Sequence, residues 1–342
     1  MIWLGQSVDT SSLCASYAEL RGSHFLTSLG CAIRRPSLTK THFHGGLRHK
    51  LGITGPLMLD SGGFALLANP RAKWTTSSVA KLIAKIGAEI YVSLDLPPAT
   101  GDTAERRRKK IHNSYRNYEF LSEQFPDKII MPVIHGRTDL EIDLSIHLLN
   151  GSKRPPSWIG LGGIVPLLQH RYVSKDIFNT GPELFIAKAL TKIRQAFPKA
   201  RIHAFGAGGT RTFPAVVYFG ADSADSIGWR QAAGFGSIFL PLRSQRVVTW
   251  NVVKSAPRKL LDNDDLDLLR DCCCPSCLAS SSIETRLTAL RGNFVNRSIH
   301  NAWTIKTQYK HWPKAISSMT EFIGNGNLGP HWAKALCRMV SR

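Results

Sequence analysis

Two aspartates stand where short apolar runs give way to glycine or proline, and a third lies in a segment of small residues that opens on glycine. Asp60 follows Leu57-Met58-Leu59 and opens Ser61-Gly62-Gly63-Phe64. Asp95 ends Glu89–Leu94 and precedes Leu96-Pro97-Pro98. Asp225 lies in Gly220-Ala221-Asp222-Ser223-Ala224-Asp225-Ser226. A carboxylate beside bare glycine backbone can hydrogen-bond a planar ligand or carry a proton. The competing reading of Asp60 is a turn cap, because Asp-Ser-Gly is ordinary turn chemistry. Asp222 and Asp225 are three apart, which places them on one side of a turn or first helical turn. One could then attack an electrophilic carbon while the other holds neighbouring groups. A helix N-cap pair is the alternative. Gly160-Leu161-Gly162-Gly163-Ile164 offers bare amides to a base edge or a phosphate, and a tight turn would use the same glycines.

A second kind of chemistry is written in the thiols. Of seven cysteines, four fall within Cys272–Cys277. Cys272, Cys274 and Cys277, with His300 farther along, make three thiolates and one imidazole, the closed tetrahedral shell that zinc prefers. Such a shell has no open position, so the expected ion is structural Zn2+ that ties a loop to a helix. Cys273 leaves a second register open, in which it replaces Cys272 or Cys274. Unligated buried thiols are the alternative.

Lys and Arg total 44 against 24 Asp and Glu, a formal net charge of +20. A chain this basic is expected to meet a polyanion, nucleic acid first. Arg106-Arg107-Arg108-Lys109-Lys110 is the densest run; it reads as a phosphate contact or as a solvated helix face. In the basic segment from Arg286 onward, Trp303, Tyr309, Trp312 and Trp332 read as core more readily than as stacking platforms. No apolar run is long enough to cross a bilayer, and the first residues lack a signal-peptide pattern. A cytoplasmic protein without membrane contact is expected.

The elements that must carry these groups alternate. Pro56–Asp60, Glu89–Asp95, Lys128–His135, Trp158–Gly163 and Arg201–Gly206 read as buried strands. Ser77–Ile86, Thr103–Gln124, Leu140–Leu149 and Pro182–Phe197 read as helices between them. Such alternation implies an α/β fold with a parallel sheet, whose chemistry sits at the C-terminal strand ends. The number of units and the length favour a closed (β/α)8 barrel of the TIM type over an open dinucleotide-binding sheet, which would need a glycine fingerprint after its first strand. The expected division is 1–242 for the catalytic barrel and 243–342 for a zinc-binding subdomain with closing helices.

Taken in order, these segments resemble the tRNA-guanine transglycosylase family over roughly Leu57 to Asn301. Asp60-Ser61-Gly62-Gly63-Phe64 matches the family's DSGGF signature. Gly220-x-Asp222-x-x-Asp225-Ser226 resembles its GxDxFD[CS] segment, and the cysteines with His300-Asn301 resemble its zinc site. The resemblance implies Asp225 as nucleophile and Asp60 as the proton carrier. It implies base contacts from Asp95, Ser61, Gly62, His135, Gly136, Gly162, Gly163, Ile164 and Asp222. The expected partners are a nucleic acid, a free purine or 7-deazapurine base, and either a second copy in a homodimer or a partner protein.

The chain departs from the family pattern around the base pocket. Ala65 stands where Gln is usual, His135 where bacterial members carry Gln, and Ala224 where Phe is usual. The Leu-Asp-Leu-Pro-Pro context of Asp95 is closer to archaeal members, yet the length leaves no room for the RNA-binding domains that those append. These features favour the branch that inserts 7-deazaguanines into DNA, with tRNA as the alternative polymer. A catalytically inactive nucleic-acid-binding relative and a hydrolytic N-glycosidase are the other readings.

Overall fold

The computed structural model describes residues 1–8, 12–34, 46–69, 72–99, 101–169, 181–249 and 259–341. Nine parallel strand segments carry the architecture: β1 (Ile2–Gly5), β2 (His24–Ser28), β3 (Leu57–Asp60), β4 (Ile90–Val92), β5 (Ile130–Met131), β6 (Val133–Ile134), β7 (Trp158–Leu161), β8 (Arg201–Ala204) and β9 (Ser223–Ser226). Their order is β5-β4-β3-β2-β1-β9-β8-β7-β6. The two end segments flank Pro132, whose ring nitrogen has no proton for the ladder. Together they form one stave. Met131 pairs with Val92 on one side, Val133 pairs with Gly160 on the other, and Gly160 N donates to Pro132 O at 2.8 Å. Nine segments therefore make eight staves, and the ring closes as a (β/α)8 barrel.

Side chains on a strand alternate between faces. Trp3, Leu26, Met58, Ile90, Val92, Met131, Val133 and Trp158 fill the barrel interior as one cluster. Leu4, Phe25, Leu57, Leu59 and Tyr91 face outward into the larger core beneath the helices. Each such side chain is worth about 1.5–3 kcal/mol when fully buried. The same alternation aims the polar residues. Asp60 shares the face of Met58. His135 shares that of Val133. His203 lies between outward Ile202 and Ala204, and Asp225 follows outward Ala224.

The helices begin where the chain supplies caps. Thr75, Thr103 and Thr138 each accept a backbone N–H, from Ser78, Arg106 and Glu141 at 3.2–3.3 Å, and start Thr76–Ile83, Ala104–Gln124 and Asp139–Asn150. Such caps contribute about 1 kcal/mol each. After the barrel, β10 (Ser237–Ile238) pairs antiparallel with β11 (Arg246–Val247). Asn263–Arg270 starts with a capping box from Asp262, and its Asp265 is a buried partner of Arg246. Phe294–Thr307 packs against Gly228–Gly234, and the Pro330–Val340 helix packs against Pro182–Ala196. Trp332 is buried there, stacked on Phe219 at 6.0 Å. Among the described residues no helix is long and apolar enough to cross a membrane.

Two expectations change. Ile2–Gly5, His24–Ser28 and Ser223–Ser226 are strands in addition to those expected. The Asp222–Asp225 segment is therefore the entry to a strand, not a turn or helix start. At a strand period of two, residues three apart face opposite sides. Asp222 pairs with Arg194 and accepts from Ile202 N at 2.7 Å at the N-terminal end of β9, while Asp225 points into the barrel mouth.

Candidate active site

A cavity of about 420 Å³ opens at the C-terminal ends of the strands. Asp60, Asp95, His135, Gly162, Gly163 and Asp225 all line it. So do Phe64, Val165, Phe205 and Phe239, which supply apolar wall around the carboxylates. A ligand pocket of this kind combines apolar surface with a few placed polar groups.

Asp225, one residue before the end of β9, has one oxygen tied down. Oδ1 accepts from Gly206 N at 2.6 Å and faces His203 Nε2 at 3.2 Å. His203 is fully buried, and its Nδ1 lies 2.8 Å from Ser223 Oγ. Sequence reasoning missed His203 as a partner of Asp225. The signal was its position on the inward face of β8, opposite Ser223 in the register.

Asp95 is buried and held on both oxygens. His135 Nε2 lies 2.6 Å from Oδ2, and Ser61 Oγ bonds Ser93 O at 3.0 Å and reaches Oδ1 at 3.4 Å. Gly63 lies against the same carboxylate; a Cβ there would fall 2.1 Å from Oδ1. Gly162 serves His135 in the same way, since a Cβ would meet the imidazole at 2.4 Å. Arg137 holds the mouth from outside by donating to Gly163 O at 2.9 Å. Ser61, Gly62, Gly136 and Ile164 do not line the cavity. Ser61 positions Asp95, Gly62 turns the backbone in the left-handed region at φ 86° against Gly30, Gly136 packs on Ile142, and Ile164 is buried. Asp222 lies apart, with Arg194.

Burial pushes the Asp60 carboxyl up to about 7, and the neighbouring charges of Asp95 and Asp225 add to the rise against hydrogen bonds from Ser28 and Gly62. A raised folded-state value means that the fold disfavours the ionised form. Stability is then fully present below the unfolded value near 4 and is lost as pH rises through 7. The effect is at most roughly 4 kcal/mol, at 1.36 kcal/mol per unit. Asp60→Asn should accordingly be more stable than the parent at pH 8 and about equal to it at pH 4. Thermal unfolding across that range measures this; equal stabilities at pH 8 would contradict the assigned environment.

The basic run divides. Arg107 bonds Glu141 at 2.7 Å and Asp102 O at 2.8 Å, and Lys110 bonds Asp102 at 2.6 Å and Pro97 O at 3.1 Å. These two brace the loop that follows Asp95. Arg106, Arg108 and Lys109 are exposed on the first turns of the Ala104–Gln124 helix.

Cys272, Cys274, Cys277 and His300 converge, with all four donor atoms within 4.8 Å of one another. Each sulfur lies 3.5 Å from His300 Nδ1. A tetrahedral ion bonded to sulfur at about 2.3 Å and to nitrogen at about 2.0–2.1 Å separates those atoms by about 3.6 Å. The donor set fits such an ion. Cys273 is exposed and outside the group, which resolves the register. His300 Nε2 donates to Phe239 O at 2.9 Å, which leaves Nδ1 free to act as the ligand. Asn301 accepts from Phe239 N at 2.6 Å and donates to Trp229 O at 3.0 Å. The cluster is thus braced directly to Phe239 in the cavity wall.

Curated relatives place this geometry in context. The chain is 29% identical over 199 residues to the tRNA-guanine(15) transglycosylase of Methanosarcina mazei, a match covering 56% of this chain and 38% of that protein. With the protein of the same name from Pyrococcus furiosus it shares 24% identity over 319 residues, 90% of this chain and 48% of the relative. The Methanopyrus kandleri protein of that name is 23% identical over 305 residues, covering 87% and 57%. The chain therefore spans about four to six tenths of the length of these relatives. The family model described as queuine tRNA-ribosyltransferase matches residues 16–320, and on that extent the chain belongs to this family.

Proposed function

We propose that this protein exchanges a guanine in a nucleic acid for another purine-like base through a covalent glycosyl–aspartate intermediate. The observation that carries the reading is the meeting of Asp225, Asp60 and Asp95 in one partly apolar cavity at the barrel mouth. Asp225 attacks the anomeric carbon, the glycosidic bond breaks, and its electron pair leaves with the base. Asp60, with a pKa near 7, gives the departing base a proton and takes one from the incoming base. Asp95, fixed by His135 and Ser61, lies beside the base, with Gly162 and Gly163 along one edge. The target nucleotide must leave its stack to enter. Arg106, Arg108 and Lys109 stand ready for phosphates, in keeping with the net charge of +20.

Zinc is the ion proposed for Cys272, Cys274, Cys277 and His300. A closed shell of this kind supplies folding energy and no open site for chemistry. Residues 1–242 act as the catalytic unit and 243–342 as its metal-stapled brace.

The incoming base in this reading is a 7-deazaguanine, and the polymer is DNA. The departure at His135, which lines the cavity, supports a changed substrate pair. The test is incubation of labelled guanine and labelled 7-deazaguanine with tRNA and with duplex DNA. Label entering DNA is expected. Entry into tRNA alone overturns the choice of polymer and keeps the chemistry. Release of free base with no label incorporated overturns the exchange and favours hydrolysis.

A further inference from the structure

The two oxygens of Asp225 are not equivalent. Oδ1 takes both protein contacts, from Gly206 N at 2.6 Å and His203 Nε2 at 3.2 Å. Among the described residues no group is hydrogen-bonded to Oδ2. Facing a carboxylate oxygen, His203 Nε2 carries the proton, and Nδ1 then accepts from Ser223 Oγ–H at 2.8 Å. The ring is fully buried and packed edge-on against Phe205 at 4.6 Å. It cannot turn without leaving two partners. The result is a fixed Ser223 → His203 → Asp225 relay of donors, aimed at one oxygen only.

We infer that His203 is a positioning residue that speeds the second half of the exchange by holding Asp225 Oδ1 as the leaving carboxylate. The inference rests on the proposed glycosyl–aspartate reading. In the first step a lone pair of Oδ2 forms the bond to the anomeric carbon, and the bond from that carbon to the departing base breaks. Oδ1 is now the carbonyl oxygen of an ester, still beside the same two donors. In the second step the incoming base attacks the anomeric carbon and loses its proton to Asp60. The carbon–Oδ2 bond breaks, its electron pair returns to the carboxylate, and charge grows on Oδ1. Donors preorganised at that atom stabilise the developing charge. In the first step the same donors meet a carboxylate that is losing charge, where they bring no advantage. His203 and Gly206 N therefore favour resolution of the intermediate over its formation.

Two substitutions separate this role from simple packing. In His203→Gln the side-chain amide reaches the Nε2 position and keeps a donor on Asp225. In His203→Asn the amide sits near the Nδ1 position, serves Ser223 and leaves Asp225 Oδ1 with Gly206 alone. Single-turnover reactions with labelled polymer, quenched in denaturant, read adduct formation; chasing with unlabelled base reads its resolution. His203→Asn is expected to form adduct at near the parental rate and to resolve it about 10- to 100-fold more slowly, less than the roughly 10²- to 10³-fold cost of losing one oxyanion-hole donor because Gly206 N stays on Oδ1. Adduct then accumulates during steady turnover, and His203→Gln stays close to the parent. Equal slowing of both steps in Asn and Gln would overturn the inference, as would an Asn variant that resolves adduct normally. If the parent protein forms no adduct at all, the exchange reading itself fails, which is a distinct result.

Discussion

In the proposed exchange, replacing Asp225 with Asn is expected to lower turnover by about 10³-fold or more and to leave the fold and base binding near their parental values. An amide is isosteric with the carboxylate and can still accept from Gly206 N and His203 Nε2, so the local hydrogen bonds survive. What is lost is an anionic oxygen able to form the ester. Without it the exchange must proceed by direct displacement, and no covalent route divides the barrier. The expected pattern is a collapse of kcat with little change in KM for the base, which marks an interaction made only in the transition state. Base affinity by calorimetry and unfolding temperature serve as controls. An Asp225→Asn protein with kcat within a few-fold of the parent would reassign the nucleophile.

Loss of the metal cluster is expected to have the second-largest effect. Cys274 is fully buried beside His300, and Cys274→Ala would leave two thiolates and one imidazole for the proposed ion. Structural zinc contributes about 10–16 kcal/mol of apparent binding free energy in small zinc-finger peptides. Only part of that falls on the stability of a barrel with its own core. A loss of several kcal/mol would still lower the unfolding temperature by about 5–8 °C. Asn301 and His300 both bond Phe239, so loosening also reaches the cavity wall. Metal analysis of the parent should give about one zinc per chain, and the variant should give close to none. A parent protein that folds and unfolds identically after exhaustive chelation would remove the ion from the account.

Much of the barrel was legible because its strands are short apolar runs that end in a carboxylate or histidine. Leu57–Asp60 and Val133–His135 announce both their burial and their direction. Other staves hid for physical reasons. Ser223-Ala224-Asp225-Ser226 has no apolar run, because Ser223 bonds buried His203, Asp225 faces the cavity and outward Ala224 is small. Reading it with a helical period joined Asp222 to Asp225; the strand period separates them. Gly62, Gly136 and Ile164 carried the motif's neighbourhood and not the cavity surface. The glycines were sound clues with a different cause, since Gly63 and Gly162 make room for Asp95 and His135. His203 was hidden because its contact with Asp225 crosses between strands 22 residues apart in sequence, and no local pattern reports such a pairing.

The most direct test is to trap the reaction. Denaturing the protein during turnover on labelled nucleic acid, digesting it and locating the label by peptide mass spectrometry should place a glycosyl ester on the Ser223–Ser226 peptide, at Asp225. The parental enzyme should carry the adduct, and Asp225→Asn should carry none. A label on Asp60 or Asp95, or active turnover with no covalent species under any quench, would contradict the central claim.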